Sequence, residues 1–409
     1  MRIGVNTLRL VPGQIGGMEM YTLSLLAHLP PLDRQHIYYL FVARYNQHLF
    51  NSDSPQFVQL ATVSLQGFRY ATTGLARFVG LAGRRFPRTA RLVGDAAASA
   101  HMLYGIEKHA LDLWFCPLIN LAPRRTRLRS VVSIPDLQPE FFPDFFRKDL
   151  LEWTRRRYPA SCRDATKVIT FSEFSRATIV DRYGIAPDKI HVIPLAVGNE
   201  FLRPRDDAAL RAVKAKYNLP SEYAFYPANT WPHKNHGALL EALHLLRVKY
   251  GRRLACVLTG EERGAHGAIL DAVEQHGLGE QVHALGYVEK NDIPMLYRGA
   301  SFLAFPSLFE GFGLPLLEAM ASDCPVVCSS AASLPEVAGN AALLFDPHDP
   351  EEMADAMHRV LTDEELRRAL RNAGSERCRQ FSWETTARET LKVLEAAGSR
   401  WADPAGRRL

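Results

Sequence analysis

Several features that are common in metal-binding, redox and membrane proteins are absent from this 409-residue sequence. Its six cysteines form no C-x-x-C pair, so a zinc ribbon or a dithiol redox motif is not indicated, and we expect buried free thiols in a reducing compartment. No Asp-x-Asp pair occurs, so a divalent cation on paired carboxylates is not indicated either. No apolar run approaches the roughly 20 residues that a membrane span needs.

The composition that is present is typical of a globular protein, with 47% hydrophobic and 23% charged residues. A chain of 409 residues is expected to form two domains, and either half could bury its own core. The net charge of +5 suits anionic small molecules or an anionic surface better than specific nucleic-acid binding. The first residues run directly into a strand-like segment, so we expect no secretory signal peptide.

Strand-like and helix-like segments alternate along both halves of the chain. The strand-like segments are RIGVN, IYYLFVA, LDLWFCP, RSVVSIP, KVITFS and IHVIPLA in the first half, and YAFYPAN, ACVLTG, VHALGYV, FLAFPS, PVVCSS and ALLFDP in the second. Helical segments between them include Glu19–Leu29, Phe174–Tyr183, Gly237–Tyr250, Gly267–His276 and Pro350–Leu361. This alternation predicts two parallel, doubly wound sheets joined by a polar linker at Gly198–Leu210. Ligands are expected at the carboxyl ends of the strands, in the cleft between the domains.

The segment PSLFEGFGLPLLEAM places Glu310 and Glu318 eight positions apart in otherwise apolar surroundings. Ser301–Ser307 is typical of a buried strand and Leu314–Ser322 has helical spacing, so EGFG is the loop that enters the helix. The unpaired N–H groups of a helix N-terminus suit an anion, and the glycines allow close approach. Either glutamate alone could be a capping or solvated residue. The pair around this loop favours a polyol ligand that also carries an anion.

Two further loops follow strands and lead into helices. The segment LVPGQIGGMEM carries Gly16 and Gly17 but not the G-x-G-x-x-G pattern, so a dinucleotide site is not indicated. Two adjacent glycines before a helix either form a phosphate cradle or serve only as a turn. In YPANTWPHKNH, Lys234 stands at the N-terminal end of a helix, where the helix dipole does not favour a cation. Lys234 therefore predicts an anionic ligand such as a diphosphate, and a solvated surface lysine is the alternative. His233 and His236 lack a third ligand at a recognisable spacing, so no metal site is predicted.

The stretch FPSLFEGFGLPLLEAMASDCPVVCSS, followed by SLPEVAG and preceded by WPHKNH and VHALGYV, resembles the retaining family-four glycosyltransferases. IPDLQPEFF, VITFSEFS and KIHVIPLAV match in the first half, so the resemblance covers nearly the whole chain. It implies the α/β GT-B architecture, in which two Rossmann-like, doubly wound domains face each other across a cleft. The implied division is an acceptor-binding domain at 1–200, a nucleotide-sugar-binding domain at 201–383, and a C-terminal helix at 384–409 that crosses back to the first domain.

The resemblance also implies a role for each matching residue. Glu310 is expected to meet the donor sugar, Lys234 the diphosphate and Glu318 the ribose hydroxyls. Asp136 is carried over as a catalytic residue, although Pro135 stands before it where many members have a histidine. Further donor-binding roles are implied for Gly16, Gly17, Asn229, Tyr287, Val288, Gly311, Phe312, Gly313 and Leu314. Asn229 occupies a position where many members carry an arginine.

The implied reaction is the transfer of a hexose from a nucleotide sugar to a hydroxyl of a glycan or lipid-linked acceptor, with retention and without a metal or other cofactor. WPHKNH and PDLQPEFFP are similar to mannosyltransferases of bacterial surface polysaccharides such as lipopolysaccharide, so GDP-mannose is the expected donor. Glu310 and Glu318 are too far apart for the carboxyl pair of a retaining glycosidase, which needs about 5 Å. Two alternatives stay open, a nucleotide-sugar epimerase of the same architecture and a non-catalytic sugar-binding relative.

Residues 54–94 contain six arginines and no Asp or Glu. At about 100° per residue, four of them fall on one helical face, opposite an apolar face; they are Arg77, Arg84, Arg88 and Arg91. A basic amphipathic segment of this kind can lie on an anionic membrane surface. The alternative is a core-packed helix with a solvated arginine face, which Pro87 would kink. The expected location is the cytoplasm, with peripheral attachment to the inner face of the plasma membrane left open.

Overall fold

The structure, a computed structural model, describes residues 1–13, 16–50, 54–61, 99–124 and 126–398. The basic segment that carries Arg77, Arg84, Arg88 and Arg91 lies outside these residues, so its role at a membrane stays a prediction. Within the described ranges, none of the helices combines the length and the apolar character that crossing a bilayer requires.

Among the described residues, seven parallel strands form the first sheet. They are β1 (Arg2–Asn6), β2 (Ile37–Val42), β3 (Phe57–Ala61), β4 (Leu113–Cys116), β5 (Arg129–Ser133), β6 (Lys167–Thr170) and β7 (Ile190–Val192). Their order across the sheet is β3-β2-β1-β4-β5-β6-β7. The central strands are almost entirely buried because helices cover both faces of the sheet. All of the predicted strand segments contain a strand, whereas β3 was not predicted.

The second sheet has the same design, with six parallel strands in the part of the chain that the structure describes. They are β8 (Tyr223–Pro227), β9 (Ala255–Thr259), β10 (Val282–Ala284), β11 (Phe302–Phe305), β12 (Val326–Ser329) and β13 (Ala342–Phe345). Their order is β10-β9-β8-β11-β12-β13. In both sheets the order therefore reverses beside the first strand, as in a doubly wound fold, and the predicted fold class is confirmed.

The helices lie between these strands and at the end of the described chain. They are α1 (Gly17–Leu32), α2 (residues 99–108), α3 (Gln138–Phe141), α4 (Lys148–Asp164), α5 (Glu173–Tyr183), α6 (Asp207–Lys216), α7 (His236–Tyr250), α8 (His266–Gln275), α9 (Ile293–Gly299), α10 (Leu314–Ala321), α11 (Leu334–Ala338), α12 (Pro350–Thr362), α13 (Glu364–Cys378) and α14 (Trp383–Gly398). Short 3₁₀ turns occupy Gln47–Phe50, Pro143–Phe145, Pro187–Lys189 and Pro232–Lys234.

The last helix, α14, packs on the first sheet although it follows the second one in the chain. It contacts α1 and the strands β4, β5 and β6. Near its start, the Thr386 hydroxyl donates a hydrogen bond of 2.8 Å to the carbonyl of Pro194. The chain thus returns to the first sheet after α13, while the exact domain bounds at 200 and 383 stay predictions. All six cysteines are buried and unpaired.

Candidate active site

The strand order of the second sheet reverses between β8 and β11, which lie side by side with Phe225 paired to Leu303. Ligands of open α/β sheets bind at the carboxyl ends of the strands at such a reversal. The chain that leaves β8 leads to Lys234, and the chain that leaves β11 leads to Glu310. The fold therefore brings the two predicted loops to the same edge of the sheet.

Lys234 and Glu310 form a direct ion pair, with Lys234 Nζ donating to Glu310 Oε1 at 2.5 Å. Their side chains are only 18% and 15% exposed. Burial by itself would raise the pKa of Glu310, but the positive charge of Lys234 and its hydrogen bond outweigh burial and hold that pKa below its usual value. Glu310 is thus an ionised carboxylate in a largely dry position.

Hydrogen bonds fix the two loops to each other. The N–H of Leu308 donates to the carbonyl of His233 at 2.8 Å, and the Ser333 hydroxyl donates to the carbonyl of Glu310 at 2.8 Å. Lys234 ends the 3₁₀ turn directly before α7, and its carbonyl accepts a hydrogen bond of 2.6 Å from the Tyr226 hydroxyl. The backbone on both sides of the ion pair is therefore held by hydrogen bonds from neighbouring elements.

Asp136, from the first domain, lies against the Glu310 loop. Its Oδ1 accepts a hydrogen bond of 2.9 Å from the N–H of Gln138. Burial raises the pKa of Asp136 to about 6, the Gln138 N–H opposes this change, and the negative charge of Glu310 adds to it. A Cβ built on Gly311 would lie 2.7 Å from Asp136 Oδ2, so this close approach of the two domains requires glycine.

The first turns of α1 and α10 meet beside this pair of loops. Gly16 and Gly313 precede the two helices with φ of +52° and +100°, the left-handed region that glycine adopts readily. A Cβ built on Gly17 would lie 4.0 Å from the Cδ1 atom of Leu314. The first turns of α1 and α10 therefore lie close to each other, and the N–H groups of a helix first turn, which have no partner within the helix, suit an anion such as a diphosphate.

Glu318 lies in the second turn of α10, where the Tyr297 hydroxyl donates to its Oε2 at 2.8 Å. Burial raises the pKa of Glu318 to about 7; the bond from Tyr297 opposes this change and the charge of Glu200 adds to it. The carboxyl can accept hydrogen bonds from a diol when ionised. Tyr297 was not predicted, because it lies in α9, far from the glutamate motif.

The remaining predicted donor-binding residues are placed differently from one another. Asn229 Oδ1 accepts a hydrogen bond of 2.7 Å from the N–H of Glu261, so its side chain joins the loops after β8 and β9. Tyr287 is 76% exposed on the surface, whereas Val288 is only 6% exposed and belongs to the core. The Phe312 side chain is also buried, at 5% exposed, so only its backbone can face a ligand.

The two histidines of the Lys234 loop are neutral. Burial, together with the nearby charge of Lys234, lowers the pKa of His233 and of His236 to about 4. The ring of His236 packs 4.8 Å from that of Tyr226. Within the described ranges, no three His, Cys, Asp or Glu side chains are grouped so that they could hold a metal ion.

Two serines of the VITFSEFS segment also belong to the site, although they were not predicted as site residues. The hydroxyls of Ser172 and Ser175 lie 2.8 Å and 3.3 Å from the Gly311 carbonyl. A serine followed by another serine three positions later is a possible capping pattern, and Ser172 does cap α5. Sequence alone does not indicate that this cap touches the other domain.

Family models match both halves of the chain. The model described as Glycosyltransferase Family 4 matches residues 15–200, and the model described as Glycosyl transferases group 1 matches residues 211–377. The chain is 34% identical to O-antigen chain mannosyltransferase B of Escherichia coli over 269 residues, which cover 65% of this chain and 70% of that protein. It is 33% identical to the serotype-specific mannosyltransferase WbdA of Escherichia coli over 249 residues, which are 60% of this chain but only 29% of that protein.

Solved structures show the same architecture over almost the full length. HepE of Anabaena, crystallised in complex with UDP-glucose, superposes with a TM-score of 0.71 and 18% identity, covering 97% of this chain and 100% of that one. At this level of identity the likeness concerns the fold alone.

Proposed function

The chain belongs to the family 4 glycosyltransferases and is a hexosyltransferase, and from this premise we propose that it transfers mannose from GDP-mannose to a hydroxyl of a glycan or lipid-linked sugar. We further propose that transfer retains the anomeric configuration and needs no metal or other cofactor. We also propose that the reaction takes place in the cytoplasm or at the inner face of the plasma membrane.

The observation that carries this proposal is the ion pair between Lys234 and Glu310 at the strand-order reversal of the second sheet. Departure of a nucleoside diphosphate leaves negative charge on phosphate and positive charge at the anomeric carbon. Lys234 can move from Glu310 to the departing phosphate, and the first turns of α1 and α10 add backbone N–H groups. Ionised Glu310 can then stabilise the positive sugar. Preorganised groups of this kind act electrostatically, without a metal.

Retention follows, in this proposal, from the side on which the proton is removed. The departing phosphate takes the proton of the acceptor hydroxyl on the same face of the sugar from which it leaves. Asp136, which lies against Gly311, would accept a hydrogen bond from a sugar hydroxyl. In this reaction neither Glu310 nor Glu318 attacks the sugar. Glu310 stabilises the positive anomeric carbon, and Glu318 binds the ribose hydroxyls.

The choice of mannose and of a polysaccharide acceptor is supported by the relatives. O-antigen chain mannosyltransferase B is named for mannosyl transfer and for the O-antigen chain, and the serotype-specific mannosyltransferase WbdA is named for mannosyl transfer. An epimerase and a non-catalytic sugar-binding protein are not favoured, since the matched family models and these relatives are transferases.

A donor screen by thermal shift tests this proposal. GDP-mannose should raise the Tm more than UDP- or ADP-sugars do, since a ligand at about 100 times its Kd stabilises by about 2.7 kcal/mol. Lys234→Met should remove that shift. The matched control is Lys249→Met, which breaks an exposed pair with Asp355 (2.7 Å) far from the cleft and should keep the shift. A larger shift with another nucleotide sugar, or none in the wild type, contradicts the proposed donor.

A further inference from the structure

The N-terminus of α5 lies between two loops that belong to different domains. Ser172 and Ser175, at this N-terminus, are fully buried. Ser172 Oγ accepts the N–H of Ser175 at 3.1 Å, which makes it the cap of the helix. The same two hydroxyls reach the carbonyls of Gly311 and Pro135.

Each serine hydroxyl carries a single proton, so each can donate only one full hydrogen bond. The shortest carbonyl contact of Ser172 Oγ is to Gly311 at 2.8 Å, and that of Ser175 Oγ is to Pro135 at 2.9 Å. One serine therefore holds the residue after Glu310, and the other holds the residue before the catalytic aspartate. A single helical turn fixes both loops.

Glu336 contacts the same helical turn from the second domain. Its two carboxylate oxygens accept the N–H groups of Glu173 at 2.8 Å and of Phe174 at 3.2 Å. These are first-turn N–H groups that have no partner within the helix, and a carboxylate there is favoured by charge. Arg377 fixes the backbone of Glu336 by donating to its carbonyl at 2.6 Å.

Aromatic rings of the two domains also pack against each other at this contact. Phe309, from the second domain, is 4% exposed and lies 5.1 Å, 6.0 Å and 5.7 Å from the rings of Phe141, Phe142 and Phe174 of the first domain. Apolar contact of this kind holds surfaces together but tolerates sliding. The directional hydrogen bonds of the serines and Glu336 therefore decide how the two loops are aligned.

We propose that Ser172, Ser175 and Glu336 are positioning residues that align the two catalytic carboxylates across the cleft. They act through the backbone, and none of them needs to touch the donor. In this arrangement Asp136 and Glu310 reach their working geometry only when the first turn of α5 is engaged by both domains. The inference rests on the proposed function, because its main readout is the rate of glycosyl transfer.

Kinetics of Ser172→Ala test the alignment. The kcat should fall by up to about 100-fold, as expected for a misplacement near 1 Å, whereas KM for the nucleotide sugar should change much less because the donor contacts of Lys234 and Glu318 lie within the second domain. The matched control is Ser382→Ala, which removes the cap of α14, where Ser382 Oγ accepts the N–H of Thr385 at 3.1 Å. This control should lose similar stability and keep its kcat. Ser172→Thr keeps a hydroxyl and should restore transfer.

Hydrogen–deuterium exchange tests the cross-domain contact without relying on activity. In Glu336→Gln, a side-chain N–H₂ group replaces one of the two oxygens that accept hydrogen bonds from the first turn of α5. The backbone N–H groups of residues 173–176 should therefore exchange faster than in the wild type. The matched control is Glu352→Gln, since Glu352 Oε2 accepts the N–H of Asp346 at 2.8 Å within the second domain only. This control should leave residues 173–176 unchanged.

Wild-type kcat in Ser172→Ala, an equal fall in Ser382→Ala, or wild-type exchange in Glu336→Gln overturns the inference. If the unaltered protein transfers no sugar from any nucleotide donor, the proposed function fails instead. A faster exchange in Glu336→Gln then still supports the contact itself.

Discussion

Replacing Glu318 by glutamine should make the stability of the protein less dependent on pH. Burial raises the pKa of the Glu318 carboxyl from its ordinary 4.5 to about 7, although the bond from Tyr297 favours the ionised form. Between these two values the folded state binds more protons than the unfolded state. The stabilising effect of the bound proton is therefore fully present below about pH 4.5 and is lost as the pH rises through about 7.

The size of the effect follows from that change in pKa. A rise from 4.5 to about 7, at about 1.4 kcal/mol per pKa unit, corresponds to about 3 kcal/mol. A glutamine at position 318 does not titrate, so the variant does not lose this stability as the pH rises. Asp136, whose pKa is raised to about 6, contributes the same pH dependence to the stability of both proteins. Its contribution therefore cancels when the two free energies of unfolding are subtracted.

The assay is urea unfolding of wild type and Glu318→Gln near pH 4 and near pH 8.5. The free energy of unfolding of the variant, minus that of wild type, should be about 3 kcal/mol larger near pH 8.5 than near pH 4. Glu274→Gln, on an exposed position of α8, is the matched control and should show the same difference at both pH values. A Glu318→Gln difference that does not change with pH, or that grows towards acid, would show that the pKa of Glu318 is not raised by folding.

Three further predictions concern catalysis. Glu310→Gln should lower kcat by about 10²–10³ while calorimetry shows little change in donor Kd, because the amide cannot stabilise a positive anomeric carbon; small, equal effects on both quantities would count against this role. Gly311→Ala should lower kcat, since the new Cβ would lie 2.7 Å from Asp136 Oδ2, whereas Gly264→Ala, which meets nothing within 4 Å, should leave it unchanged. EDTA should leave transfer unaffected, and a full loss that manganese or magnesium restores would show that a metal is needed.

Much of the fold could be predicted because buried parallel strands form nearly continuous apolar runs. The missed strand, β3 at Phe57–Ala61, is an edge strand with half-exposed residues, so its sequence has no such run. Lys234 and Glu310 could be placed because each follows a predicted strand. Their direct contact could not be predicted, because it depends on β8 lying beside β11. The order of strands along the chain does not give their order in the sheet.

The parts of the site that sequence did not indicate are contacts between distant elements. Tyr297 reaches Glu318 from another helix, and Ser172 reaches Gly311 across 139 positions of the chain. Glu336 is charged and lies in a short helix, which by pattern alone is typical of a solvated residue. Its partners are backbone N–H groups of the other domain, and such partners leave no trace in local composition.

NMR of the product formed from GDP-mannose and a mannose-terminated acceptor tests whether the protein is a retaining mannosyltransferase. We expect release of one GDP for each mannose transferred, and a new glycosidic bond with the same α configuration as the donor. A β-linked product, or conversion of the donor to another nucleotide sugar without any acceptor, would contradict this expectation.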